Sequence, residues 1–206
     1  LVVLLIAIIL LAPVISPYSP LEAVMKDANQ APSAAHLFGT DKLGRDVLSR
    51  ILYGGAYSLS SVLALVVIIF CVGTTLGIIS GYFGGIVDTV IMRIADMMIS
   101  FPGVILAIAI AGIMGGSLIN AMIALTAVTW TKYARLSWLM VLKIKKRDFV
   151  DAAIVSGGTN AHILWSHIMP NIVPILVITA VADIGAMMME LAGLSFLGFG
   201  SQPPAP

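Results

Sequence analysis

Lys143-Ile144-Lys145-Lys146-Arg147-Asp148-Phe149-Val150-Asp151-Ala152-Ala153-Ile154-Val155-Ser156-Gly157 separates two apolar stretches, Ala121 to Leu142 before it and Ile172 to Met189 after it. Four cations in five residues do not enter hydrocarbon, so they mark a membrane helix ending at the cytoplasmic surface. The residues after them read as a short helix that breaks at Gly157-Gly158, where glycine permits a sharp turn. A membrane protein that presents a small folded element to the cytoplasm presents it to a partner.

Composition sets the class. Hydrophobic residues make up 60% of the 206 and charged residues 10%, against about a quarter charged in a soluble domain. Mean hydropathy is +1.08. The apolar runs do not alternate with period two, so the chain reads as an all-α polytopic membrane protein surrounded by lipid. A net charge of +1 gives no footprint for nucleic acid. The single cysteine, Cys71, excludes a disulfide framework and a thiolate metal cluster, and in its apolar run it reads as a small packing residue.

A helix needs about 20 apolar residues to cross a bilayer. Ser58 to Ser80, Val87 to Met114, Ile119 to Leu142 and Ile172 to about Leu197 meet that length. Residues 1–12 read as the end of an earlier span, giving about five. The chain opens without methionine and closes on Gln202-Pro-Pro-Ala-Pro206, so both ends read as cut. Between the first two spans lies a polar segment, 13–57, with four cations and four anions. If Lys143–Arg147 is cytoplasmic, counting back places 13–57 outside and the start of the chain inside. Residues 58–206 then form the transmembrane core, with 143–170 as its cytoplasmic loop.

Gly73, Gly77, Gly81 and Gly85 recur every four residues. Positions four apart share a helix face, so Gly73, Gly77 and Gly81 offer a side-chain-free groove to a neighbouring helix. Gly84 and Gly85 read as permissive glycines at a helix end. Charges inside spans need a reason. Asp183 and Glu190, seven apart, share a face. Either they line a hydrophilic passage or hold a cation, or Glu190 lies near the outer surface and Asp183 pairs with a polar group elsewhere. Arg93 and Asp96, three apart, are placed to pair with each other. Lys132 and Arg135 snorkel or face the bundle interior.

Several enzyme signals fail on chemistry. Gly39-Thr-Asp-Lys-Leu-Gly44-Arg45-Asp46 has phosphate-loop glycine spacing but lacks the Lys-Ser/Thr pair, and Asp46 repels phosphate. Gly193-Leu194-Ser195-Phe196 looks like the setting of an intramembrane serine nucleophile. Such a serine needs a base in reach, and His36, His162 and His167 all lie off the spans. His162 and His167 lack a third metal ligand nearby. No catalytic residue and no metal site are assigned.

The island also carries a family pattern. Asp151-Ala152-Ala153, three residues, Gly157, nine residues, then His167-Ile168-Met169-Pro170 resembles the "EAA" loop of ABC-importer membrane subunits. The spacing agrees throughout. Asp151 stands for Glu, His167 for Ile and Met169 for Leu. His36-Leu-Phe-Gly-Thr-Asp41-Lys-Leu-Gly44-Arg45-Asp46-Val-Leu-Ser-Arg50 resembles the segment before the second span in the dipeptide, oligopeptide and nickel branch. Gly81-Tyr-Phe-Gly-Gly85, Arg93-Ile-Ala-Asp96 and Leu194-Ser-Phe-Leu-Gly-Phe-Gly200 with Gln202-Pro-Pro agree in order.

The resemblance implies a type I ABC-importer transmembrane domain, its sixth span beyond the sequence, in a bacterial-type inner membrane. It implies a coupling helix in which Ala152 and Ala153 allow close approach, Asp151 meets a basic group, Gly157 turns the chain and Pro170 starts the next span. The implied partners are a second homologous permease subunit, two ATP-binding subunits that hold ATP and magnesium, and an extracytoplasmic substrate-binding protein. The chain itself then binds no cofactor. Trp130-Thr-Lys-Tyr-Ala-Arg135 and the Asp183–Glu190 stretch lean the cargo toward nickel or a metal chelate, with di- or oligopeptide as the alternative. Met187, Met188 and Met189 point different ways on a helix and read as packing. A nucleotide-independent channel or secondary transporter is the rival class; it needs no ATPase-facing loop.

Overall fold

The computed structural model describes residues 11–200, and its regular structure there is helical. The readings of residues 1–10 as the body of an earlier span, and of Gln202-Pro-Pro as a family motif, lie outside the described residues. Two compact units are present, one up to Leu63 and one from Ala64 to Gly200.

The first unit holds a short helix, α1 (Ala12–Ile15), a 3-10 turn at Met25–Asp27 and the opening of α2 (Val47–Phe83). Polar side chains knit it. Asp41 accepts hydrogen bonds from the backbone N–H of Leu43 (2.8 Å) and Arg45 (3.0 Å) and from Arg45 Nε (2.8 Å). Asp46 caps α2 by accepting from the N–H of Ser49 (2.8 Å) and from its hydroxyl (2.7 Å). Its other oxygen meets His36 Nδ1 at 3.0 Å. The glycines of the apparent phosphate loop serve close backbone approach. Gly44, at φ +72°, sits where a Cβ would overlap the Val24 carbonyl.

Burial alone would raise the Asp46 carboxyl, but the bonds from Ser49 and His36 outweigh it and hold it below its ordinary value. A depressed carboxylate stabilises the fold above its unfolded value, and that stability disappears as pH falls through the lowered folded value. Asp46→Ala is expected to cost about 1–2 kcal/mol as a lost cap. Amide exchange at Ser49 and Arg50 should rise several-fold near neutral pH. Unchanged exchange would deny Asp46 the capping role.

The second unit contains the rest of α2, then α3 (Gly85–Ile99), α4 (Gly103–Met114), α5 (Leu118–Ile144), α6 (Asp148–Val155) and α7 (Asn160–Phe196). Among the described residues, α2 and α7 are long and apolar enough to cross a membrane. α5 has the length, about 40 Å at 1.5 Å per residue, but carries Lys132 and Arg135. The span expected over Val87–Met114 is two helices bent by 93°. Pro102 explains the break: it lacks an N–H to donate, and it pushes Phe101 off helical geometry.

Gly73, Gly77 and Gly81 face α5. A Cβ on Gly77 would overlap Ser137 Oγ and the Ala134 carbonyl; one on Gly73 would lie 2.7 Å from Tyr133 Cβ. On Gly81 it would lie 3.0 Å from Val141 Cβ. The Ser137 hydroxyl donates to the Tyr133 carbonyl at 2.7 Å. Gly84 and Gly85, both at positive φ with open space around them, end α2 and begin α3. Cys71 is exposed on α2 rather than packed inside, since its helix turns that side away from α5.

Candidate functional site: the helical island and the charged centre of the bundle

α6 is held by one face. Val150 is fully buried with Ile78, Tyr82, Val141, Ile163, Ile168, Ile172 and Leu176, and Ala153 packs against that cluster. Asp148 and Asp151 fall in its first turn, where carboxylates suit the positive end of the helix dipole. The helix stops in a Schellman turn. Gly157 N–H donates to Ile154 O and Gly158 N–H to Ala153 O, both at 3.0 Å. Gly157 sits at φ +82°, a conformation glycine takes without strain. The other face is open: Asp151 and Ala152 are exposed, Ile154 is 51% exposed and Val155 88%.

Two tethers fix the island to the bundle end. Tyr82 Oη donates to Asn160 Oδ1 at 2.9 Å, and Lys145 Nζ donates to the Tyr82 carbonyl at 2.6 Å. Lys145 also lies 5.3 Å from the Tyr82 ring centre, a cation–π distance.

Pro170 is the second residue of the regular α-helix Met169–Phe196, which continues an earlier helical stretch. α7 begins ten residues earlier, at Asn160, capped by the Thr159 hydroxyl, which accepts from His162 N–H at 3.3 Å. Leu164–Ile168 forms a π turn, closed by Met169 N–H to Leu164 O. That extra residue widens the helix just before Pro170, whose ring would otherwise meet the carbonyl of Ser166. The helix therefore passes Pro170 unbroken. His167 lies on this widened turn and His162 in the helical turn before it, with ring centres 5.5 Å apart. Among the described residues no group of three His, Cys, Asp or Glu side chains is placed to hold a metal ion.

The charged residues of the bundle make pairs the sequence did not assign. Lys132 Nζ on α5 donates to both oxygens of Asp183 on α7, each at 2.7 Å, and Tyr133 Oη donates to one of them at 2.9 Å. Asp183 is thus paired to another helix, one of the two alternatives its sequence left open. Asp96 pairs with Arg135 on α5, not with Arg93. The i,i+3 spacing places Arg93 nearby, but α5 brings a guanidinium onto the same carboxylate. Glu190 is half-buried against Val104, Ile108, Gly193 and Leu194, in a cavity of about 400 Å³. Met187 is buried while Met189 is 79% exposed, so the methionines do not converge. The Ser195 hydroxyl donates to its own helix at Leu191 O, 2.9 Å.

The partners Lys132, Tyr133 and Arg135 were missed as site residues. The available signal was opposite charge in mid-span, which demands neutralisation but does not name the partner.

Residues 73–206 match the family described as the binding-protein-dependent transport system inner membrane component. The dipeptide transport system permease protein of Alkalihalophilus pseudofirmus is 40% identical over 201 residues, covering 98% of this chain and 66% of that protein. The glutathione transport system permease protein of Pectobacterium atrosepticum is 40% identical over 206 residues, 100% of this chain and 68% of the relative. The nickel transport system permease protein of Escherichia coli is 37% identical over 188 residues, 91% and 68%.

Proposed function

Because the chain belongs to the family of binding-protein-dependent transport system inner membrane components, we propose that it is a permease subunit of an ATP-driven importer and that α6 is its coupling helix. The supporting observation is the two-faced island. Val150 and Ala153 lock one side of α6 into the bundle, while Asp151, Ala152, Ile154 and Val155 are presented outward. Exposed apolar side chains beside a carboxylate suit a groove on another protein. That partner is an ATP-hydrolysing subunit, which holds ATP and magnesium and supplies the motion; this chain contributes no catalytic group. Closure of two such subunits drives two permease subunits between inward-facing and outward-facing states. An extracytoplasmic binding protein delivers the cargo. In this reading the island faces the cytoplasm, at the inner membrane.

For the cargo, the relatives are named for dipeptide, glutathione and nickel transport. The sequence leaned to nickel because Trp130–Arg135 and the Asp183–Glu190 stretch resemble the nickel members, with Asp183 and Glu190 suited to a cation. Asp183 is already bound by Lys132 and Tyr133, which favours a peptide-like cargo over a bare divalent ion.

The coupling role has a direct test in the reconstituted importer. Proline fixes φ near −65°, so Gly157→Pro destroys the turn at φ +82°. Asp151→Lys reverses the charge of the exposed face. Both variants should insert in the membrane yet lose cargo-stimulated ATP hydrolysis and transport. Normal stimulation in both would refute the role, and cargo flux in vesicles without nucleotide would favour a channel or secondary transporter.

A further inference from the structure

Lys132 stands near the middle of α5, and Asp183 stands midway between Pro170 and Phe196 on α7. The pair therefore lies near mid-depth in any bilayer that these helices cross. Ionised groups at that depth face water or protein, not lipid. The Lys132 side chain is nevertheless 53% exposed, while the Asp183 side chain is 13% exposed and Tyr133 is buried beneath it. Glu190 continues the same face of α7 two turns on, at 100° per residue. The far side of α7 is different: Ile178 is 70% exposed and Val181 63% exposed. It reads as the lipid side.

We propose that the face bearing Lys132, Asp183 and Glu190 borders water at mid-membrane, and that Asp183 with Tyr133 forms a receptor for a primary ammonium, filled here by Lys132. The occupant itself shows what fits. A primary ammonium at 2.7 Å from both oxygens of a carboxylate, which a tyrosine hydroxyl holds in place by donating to one of them, is the arrangement that the amino end of a peptide would meet. Exchange keeps Asp183 neutralised, because one ammonium replaces another, and the displaced Lys132 turns through its exposed flank to the water that this face borders. Glu190 adds a second negative group along the same face. This assignment rests on the permease reading and gives it a substrate chemistry: cargo with a free amino group.

Cysteine accessibility tests the proposal in membranes containing the assembled complex. Cys71 is the chain's only cysteine and is exposed, so the background is Cys71→Ser, with labelling followed by the mass of this chain. Ala186 lies between Asp183 and Glu190 on their face, and its substitution keeps the ion pair intact. Ala186→Cys should react with the membrane-impermeant trimethylammonioethyl methanethiosulfonate about tenfold faster than Val181→Cys, because water and negative potential concentrate the reagent there. Lys132→Cys should prefer the aminoethyl reagent over the sulfonatoethyl reagent, and adding Asp183→Asn should lower that preference by about tenfold, the effect of one charge at contact range. Equal rates at Ala186→Cys and Val181→Cys overturn the aqueous face. A preference unchanged by Asp183→Asn overturns the receptor. Labelling needs no nucleotide, so its failure leaves the coupling experiment standing, and the reverse also holds.

Discussion

Gly77→Leu is expected to yield no stable folded chain, and Gly77→Ala to melt well below the parent in detergent. The Cβ of alanine would already overlap Ser137 Oγ and the Ala134 carbonyl, and it would lie 2.8 Å from the Ala134 carbonyl carbon. Backbone of a neighbouring helix cannot rotate away as a side-chain tip can. Relief requires α2 and α5 to part, and overpacking of this kind costs about 1–3 kcal/mol or more. The gain in helix propensity from Gly to Ala, about 1 kcal/mol, does not offset it. Gly73→Ala should behave similarly, because the Tyr133 Cβ stands 2.7 Å away. Gly81→Ala should be the mildest, since its contacts begin at 3.0 Å. Thermal melting of the three variants checks that order, and a Gly77→Ala chain as stable as the parent would deny the close approach.

Asp183→Ala is the second large effect. It strips Lys132 and Tyr133 of their shared acceptor in the middle of the bundle. Removing one partner of a buried pair costs about 3–5 kcal/mol, and the lower end applies because Lys132 keeps an exposed flank. The double change Lys132→Met with Asp183→Leu removes both charges and should restore most of the loss. Melting of the single and double variants separates an ion-pair effect from simple loss of volume. A double variant as unstable as Asp183→Ala would assign the cost to packing instead.

Local chemistry made part of this legible from residues alone. The glycine ladder needs only the four-residue repeat of a helix face. The stop at Gly157 needs only glycine's access to positive φ. Pro102 announced the break between α3 and α4, but the unbroken apolar run through Val104 and Ile108 hid it. Pro170 stands where local rules allow it, in the first turn of the regular α-helix Met169–Phe196, but no local pattern encodes the π turn and the helical turn from Asn160 that lead into it. The ion pairs were the least legible. Lys132 and Asp183 are 51 residues apart, and Asp96 and Arg135 are 39 apart. Sequence shows that such charges need partners, while only the packing of α5 against α3 and α7 selects them. The near neighbour Arg93 satisfied the spacing rule and still lost Asp96 to Arg135.

The claim that α6 transmits work from a nucleotide-hydrolysing partner is tested most directly by capture at Val155, its most exposed apolar position. In the assembled importer, Val155→Cys in the Cys71→Ser background, treated with a short thiol cross-linker from the cytoplasmic side, should join this chain to the ATP-hydrolysing subunit. The yield should change between the nucleotide-free and ATP-trapped states. Labelling of Val155→Cys only from the outer side, or no capture of that subunit in either state, would contradict the account.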